Sequence, residues 1–197
     1  MQKTLKNALS LLIAGVVLVV LYTGVVTLLG QLFFNHQANG SLVKNQAGQV
    51  VGSKLLGQAF TDDKYLWGRH MIIDDTSFKD QADQPVMYAF NSNLSQKSPQ
   101  LVQEVKQRAK GIAALNDEKT PVPVDLVTTS GSGLDPEISV QAADYQVKRI
   151  AKARNISQSQ VKKVIEQNTY DKVLGFFGTK RVNVLEVNLA LDRLTDK

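Results

Sequence analysis

The chain has 197 residues and a mass of 21.6 kDa, room for one ordinary domain or a small domain with an appendage. It has no cysteine and only His36 and His70 as histidines, which excludes disulfide scaffolds, thiolate metal sites, cysteine nucleophiles and a multi-histidine zinc centre. Its net charge of +5 is unevenly spread, because Lys3 and Lys6 are the only charged side chains before Lys44 and the first acid is Asp62.

The first predicted element is an apolar helix. Ala8 to Phe34 carries no charge and only scattered Ser, Thr, Gly and Gln. As a helix it reaches roughly 40 Å, enough to cross about 30 Å of hydrocarbon with every backbone amide bonded inside the segment. A cleaved signal peptide is the competing reading. Its apolar region is usually about 7–15 residues and ends in a small-x-small site, whereas this stretch is longer and runs into Gln31-Leu32-Phe33-Phe34-Asn35-His36. Lys3, Lys6 and the α-amino group precede the span and no Lys or Arg follows until Lys44, so positive-inside statistics place the N-terminus in the cytoplasm and residues 35–197 outside.

Residues 35–49 are polar and rich in Gly, Asn and Gln, and read as a linker. Val50–Phe60 reads as a strand with bends at Gly52 and Gly57. Tyr65-Leu66-Trp67-Gly68-Arg69 holds the one tryptophan. Ser98-Pro99 is a helix start, followed by Leu101, Val102, Val105, Ala109, Ile112 and Ala113 at helical spacing. Val124–Thr129 reads as a strand, Ser139–Arg154 as a helix, and Ser157 with Gln160 as a capping box opening another. Arg181–Leu191 alternates imperfectly and predicts a closing strand. The order is mixed, which gives an α+β domain: residues 1–34 form a cytoplasmic tip and transmembrane helix, 35–49 a linker, and 50–197 a mixed α/β extracytoplasmic domain.

The sharpest local feature is the loop Ser130-Gly131-Ser132-Gly133-Leu134-Asp135-Pro136 between a predicted strand and helix. Such loops can aim backbone N–H groups at phosphate. The P-loop lysine is missing, however, the dinucleotide pattern fails at Pro136, and Asp135 and Glu137 repel an anion. A structural turn is the simpler reading, with Gly131 and Gly133 both in backbone conformations closed to a residue with a β-carbon. A serine hydrolase lacks its nucleophile elbow, since Ser130 and Leu134 stand where glycines belong around Ser132. Lys148-Arg149, Lys152, Arg154, Lys162 and Lys163 imitate a helix-turn-helix, but such charges are more often solvated faces, so no nucleic-acid partner is expected. Trp67 with Arg69 is a core aromatic with a hydrogen-bonding neighbour, or an interface anchor. No metal site and no catalytic residue emerge.

Several ordered blocks together resemble the C subunit of the Kdp potassium-transporting P-type ATPase. They are the N-terminal span, Gly52-Ser53 with Leu56-Gly57-Gln58, Tyr65 to Arg69, and Asp125 to Ser139. Ala142-Ala143, Tyr145-Gln146-Val147 and Ala151 to Arg154 follow, then Leu174 to Gly178, Arg181 to Leu185 and Asn188 to Asp192. The resemblance implies a non-catalytic membrane subunit whose partners are a channel-like potassium-binding chain and an ATP-hydrolysing chain of the same complex. It implies potassium as the transported ion, no covalent cofactor, and ATP engaged through the complex. Such subunits are described as catalytic chaperones that raise the ATP affinity of the hydrolytic chain, with Ser130, Gly131, Ser132, Gly133 and Asp135 meeting nucleotide or a partner. Cytoplasmic ATP and an external loop conflict, so an external cap that stabilises the complex suits the topology better. A membrane-tethered binding module or serine hydrolase acting alone is the alternative.

Overall fold

A computed structural model of the chain describes residues 2–80, 83, 84, 86, 88–117 and 119–195. They fall into two compact units that divide between Leu42 and Val43.

The first unit is dominated by α1 (Gln2–Phe33), none of whose residues is buried. Leu, Val and Ile side chains are exposed on every side of it. It is long and apolar enough to cross a membrane, and a helix apolar all round finds its favourable surroundings in lipid or among other helices. One further turn, α2 (Asn35–Ala38), follows, held where Asn39 Nδ2 donates to the Asn35 carbonyl at 2.7 Å.

Two small ribbons come next in the chain, β1 (Leu42–Lys44, beginning at the last residue of the first unit) with β2 (Val50–Ser53), and β3 (Ile72–Asp74) antiparallel to β4 (Tyr88–Phe90). The strand expected over Val50–Phe60 thus ends at Ser53. There the Ser53 hydroxyl accepts the Leu55 N–H and bends the chain. The long amphipathic helix α3 (Pro99–Leu115) begins where Ser98-Pro99 predicts, with Pro99 in its first turn, where its missing N–H costs nothing.

Val124–Thr129 is not a strand. Val124–Val127 makes the single turn α4 behind Pro123, with Asp125, Leu126 and Val127 all buried. Tertiary burial overrides the β-branched propensity of this stretch. Next come β5 (Glu137–Ser139), α5 (Val140–Tyr145) and α6 (Val147–Arg154). The helix expected from Ser139 to Arg154 is therefore broken, and the break falls at Gln146 (φ −93°, ψ −9°). Ser139 caps α5 by accepting the Ala142 N–H. The predicted capping box opens α7 (Gln158–Gln167), with Ser157 and Gln160 bonding reciprocally.

After β6 (Thr169–Tyr170), β7 (Arg181–Asn183) is the centre of an antiparallel sheet ordered β5-β7-β6, with Ile138 opposite Val182. The closing strand expected to Leu191 stops at Asn183, and the chain turns into α8 (Val184–Thr195). Val184, Leu185, Val187, Asn188 and Leu191 are its buried positions, a three-four spacing that fits a helix and that the imperfect alternation disguised. Val184, Val187 and Leu191 pack with Leu66, Ile138, Ala142, Ala143, Ile150, Val161, Ile165 and Val182 in one core. A mixed α+β unit beside one apolar helix is the architecture.

Candidate functional site

Ser130–Asp135 links α4 to β5, so the expected strand-loop-helix order is corrected at both ends. The next helix starts at Val140, beyond β5, and its first turn is capped by Ser139. The loop therefore sits at no helix N-terminus, and the anion affinity such an end supplies is absent from it.

Within the loop most polar groups are engaged internally. Gly133 N–H donates to the Ser130 carbonyl at 3.3 Å. Leu134 N–H donates to Ser132 Oγ (3.1 Å), Asp135 N–H to Ser130 Oγ (3.3 Å) and Glu137 N–H to Asp135 Oδ1 (3.0 Å). The two serine hydroxyls, themselves 3.3 Å apart, thus act as turn supports. Outside the loop, Asn91 Nδ2 donates to the Gly131 carbonyl and Gly57 N–H to the Leu134 carbonyl at 2.7 Å.

The two glycines differ, which corrects half of the expectation for them. Gly133 has φ +76°, and a β-carbon there would meet the Phe90 backbone at 2.5 Å. Gly131 lies outside the positive-φ positions and has open space around it.

Arg69 is the centre of the site. Its Nη2 lies 2.9 Å from Asp125 Oδ1 and its Nε 3.1 Å from Asp135 Oδ2. Asp125, buried in α4, also accepts the Ser139 N–H at 2.8 Å. One guanidinium thereby ties the loop to α4, and one carboxylate ties α4 to the end of β5. Charge-assisted bonds of this kind are the strong ones when partly desolvated. Asp135 is consequently held by a cation already within the fold.

Trp67 belongs to a strap, Asp62–Arg69, that opens on a turn closed by the Tyr65 N–H on the Asp62 carbonyl and carries no regular secondary structure over Leu66–Gly68. Buried side chains hold it in place of a neighbouring strand. Gln146 Oε1 accepts the Trp67 N–H (2.8 Å) while its Nε2 donates to the Trp67 carbonyl (3.0 Å). Asn188 does the same for Leu66, at 2.7 and 2.9 Å. Arg149 donates to the carbonyls of Asp63 and Tyr65 and to Gln146 Oε1, and stacks 3.6 Å from the Trp67 ring centre. Burial pushes the Arg149 guanidinium down to about 10, against the opposing pull of Asp63. Arg154 donates to the Lys64 carbonyl and pairs with Asp192 at 2.7 Å.

Trp67 and Arg69 also line a cleft of about 390 Å³ with Phe60, His70, Ile73 and Leu126. Burial is the main cause that lowers the His70 pKa, with Arg108 adding to it and Glu104 opposing it. Among the described residues no group of three or more His, Asp or Glu side chains comes together in a way that would hold a metal ion.

Arg149 and Arg154, expected on a solvated face, are turned into the fold instead, where their guanidinium groups donate to strap carbonyls; Gln146, Asn188 and Asp125 carry no role in the expectations from sequence. Their signal was present: Gln146 directly follows the α5 face of Ala142 and Ala143, and Asn188 interrupts the Val184–Leu191 stripe. A polar residue on an apolar face is a buried hydrogen-bonding group in search of a backbone.

A membrane-length apolar helix followed by one mixed α+β unit is the class of a single-anchor membrane protein. The sequence profile described as "KdpC: K+-transporting ATPase, c chain" matches residues 4–193, and the chain belongs to this family. A Clostridium perfringens protein named potassium-transporting ATPase KdpC subunit is 50% identical over 189 residues, covering 95% of both chains. A Paraburkholderia xenovorans protein of the same name is 45% identical over 88% of this chain and 87% of its own. One from Herpetosiphon aurantiacus is 42% identical over 94% and 93%.

Proposed function

We propose that the chain is a non-catalytic subunit of an ATP-driven potassium-transporting complex, anchored by α1 with its N-terminus in the cytoplasm and its α+β unit outside. There it assembles with a channel-like potassium-binding chain and an ATP-hydrolysing chain, and stabilises them. The names of its relatives support the complex and the ion; the Lys3 and Lys6 flank supports the orientation. The observation that carries the assembly role is the closed Ser130–Asp135 loop. Its Gly133, Leu134 and Asp135 amides bond internally, and its carboxylate accepts the Glu137 N–H of β5 and already faces Arg69. A phosphate cradle needs convergent free N–H groups without a carboxylate among them. A braced loop of this kind suits a fixed contact with a partner chain.

The second reading is the catalytic chaperone, in which the same loop raises the ATP affinity of the hydrolytic chain. The exposed Gly131 and Ser132 at the loop crest favour it. Asp135→Ala separates the two. Under the assembly role the variant chain is depleted from the purified complex and activity falls at limiting potassium. Normal subunit content with a weakened ATP dependence would overturn that role in favour of the chaperone. Orientation is tested by thiol labelling of Gln2→Cys and Lys163→Cys with an impermeant reagent in intact cells. Lys163→Cys is expected to react and Gln2→Cys to stay silent; the reverse pattern refutes the topology. The purified chain is expected to hydrolyse neither ATP nor peptides.

A further inference from the structure

The segment between β6 and β7 projects a tight turn, Val173-Leu174-Gly175-Phe176-Phe177, that neither the core nor the Arg69 site uses. Leu174 is 79% exposed, Phe176 66%, Phe177 59% and Val173 57%. Together they present an apolar patch of a few hundred Å², the size that on a soluble surface marks an interaction site. The turn is well fixed. Val173 N–H donates to the Phe177 carbonyl (2.9 Å), Phe177 N–H to the Val173 carbonyl (3.0 Å) and Gly175 N–H to the Lys172 carbonyl (3.2 Å). Gly175 and Gly178 have φ +81° and +79°, and Leu174 itself has φ +54°. A leucine in the left-handed region is strained, and here its side chain stands exposed to solvent. The Phe176 and Phe177 rings lie 4.2 Å apart, tilted against each other. Lys172 and Lys180 stand at the base, Lys180 paired with Asp171 at 2.9 Å, so the collar behind the tip is net positive.

We propose that this hairpin tip is the apolar anchor by which the α+β unit docks into a hydrophobic pocket, rimmed by acidic groups, on a companion chain of the same complex. The proposal rests on the multi-chain reading given above. A shaped protein pocket is favoured over a lipid surface by the geometry. Lipid accepts apolar side chains in any arrangement, whereas a pocket rewards a display ordered before binding. Two adjacent aromatics beside a leucine are also the residue types that fill central pockets of interfaces. A stable interface buries about 800 Å² on each partner, so the tip is its anchor and not its whole extent.

The test uses the assembled complex purified from membranes, with the photocrosslinker p-benzoylphenylalanine placed at Phe177. Irradiation is expected to give an adduct with a companion chain. An adduct only with lipid or with a second copy of this chain, or no adduct, overturns the proposal. In parallel, Leu174→Ser, Phe176→Ser and Phe177→Ser are combined. These side chains are exposed, so thermal unfolding of the full chain should be unchanged, while the amount retained in the complex drops about tenfold. Retention equal to wild type overturns the docking site alone. Failure of the wild-type chain itself to co-purify with any companion overturns the multi-chain reading, and this proposal with it.

Discussion

A β-carbon on Gly133 would lie 2.5 Å from the carbonyl carbon of Phe90, so the Gly-rich loop and the end of β4 are in backbone-to-backbone contact. Such closeness admits no side chain between them, and φ +76° at Gly133 adds a second penalty. Gly133→Ala is expected to cost roughly 1–3 kcal/mol, read as a lower midpoint in denaturant. Gly131→Ala, with open space and no positive φ, should stay within about 0.5 kcal/mol of wild type. Equal damage from both would refute the asymmetry.

Removing the Arg69 guanidinium leaves the buried Asp125 carboxylate with only the Ser139 N–H. Arg69→Met is expected to destabilise by roughly 2–4 kcal/mol, somewhat less than a fully buried pair because Arg69 retains solvent contact. Asp125→Asn combined with Arg69→Met should recover part of that loss, since the neutral amide needs no counter-charge. A double variant no more stable than Arg69→Met would refute the coupling.

Gln146→Ala removes the partners of the Trp67 N–H and carbonyl and of one Arg149 nitrogen at once. The expected loss is about 2–4 kcal/mol from unsatisfied groups and the space vacated. Trp67 is the one tryptophan of the chain, so its fluorescence in the detergent-solubilised protein reports the strap directly. A variant with unaltered emission and midpoint would show that the amide does not hold it.

His70 carries a pH signature. Its pKa lies below the ordinary 6.5 because burial, and then Arg108, disfavour the charged ring. The unfolded chain takes up this proton near 6.5 and the folded one only at lower pH. The stabilising contribution is therefore full above 6.5 and is lost as pH falls from there through the folded value. His70→Gln should flatten the slope of stability against pH in that window. An unchanged slope would remove His70 as its source.

The start of α3 at Ser98-Pro99 and the capping box of α7 were legible because they depend on neighbours in sequence; the box forms as expected, and α3 starts at Pro99 although the Ser98 side chain makes no capping hydrogen bond. Val124–Val127 and Val184–Leu191 were misread as strands because β-branched side chains serve either element, and contacts far along the chain decide which. Gln146 marks the limit most clearly. Its partner Trp67 lies 79 residues away, so nothing local to Ala142–Val147 announces that the helix will break there. For the candidate site, Arg69 and Asp135 were both singled out, but their pairing with each other, and with Asp125, needed the tertiary fold.

The strap has a temporal counterpart. Leu66 and Trp67 lie in coil, yet their N–H groups end on buried amide oxygens of Asn188 and Gln146, beyond the reach of solvent deuterium while those helices stand. Their exchange clocks should run with the interior of α5, α6 and α8 and not with the surface loops on either side. Far-UV ellipticity would barely notice the strap detach, because it adds no helix or strand to lose. Two slow amides in a featureless stretch would register it at once.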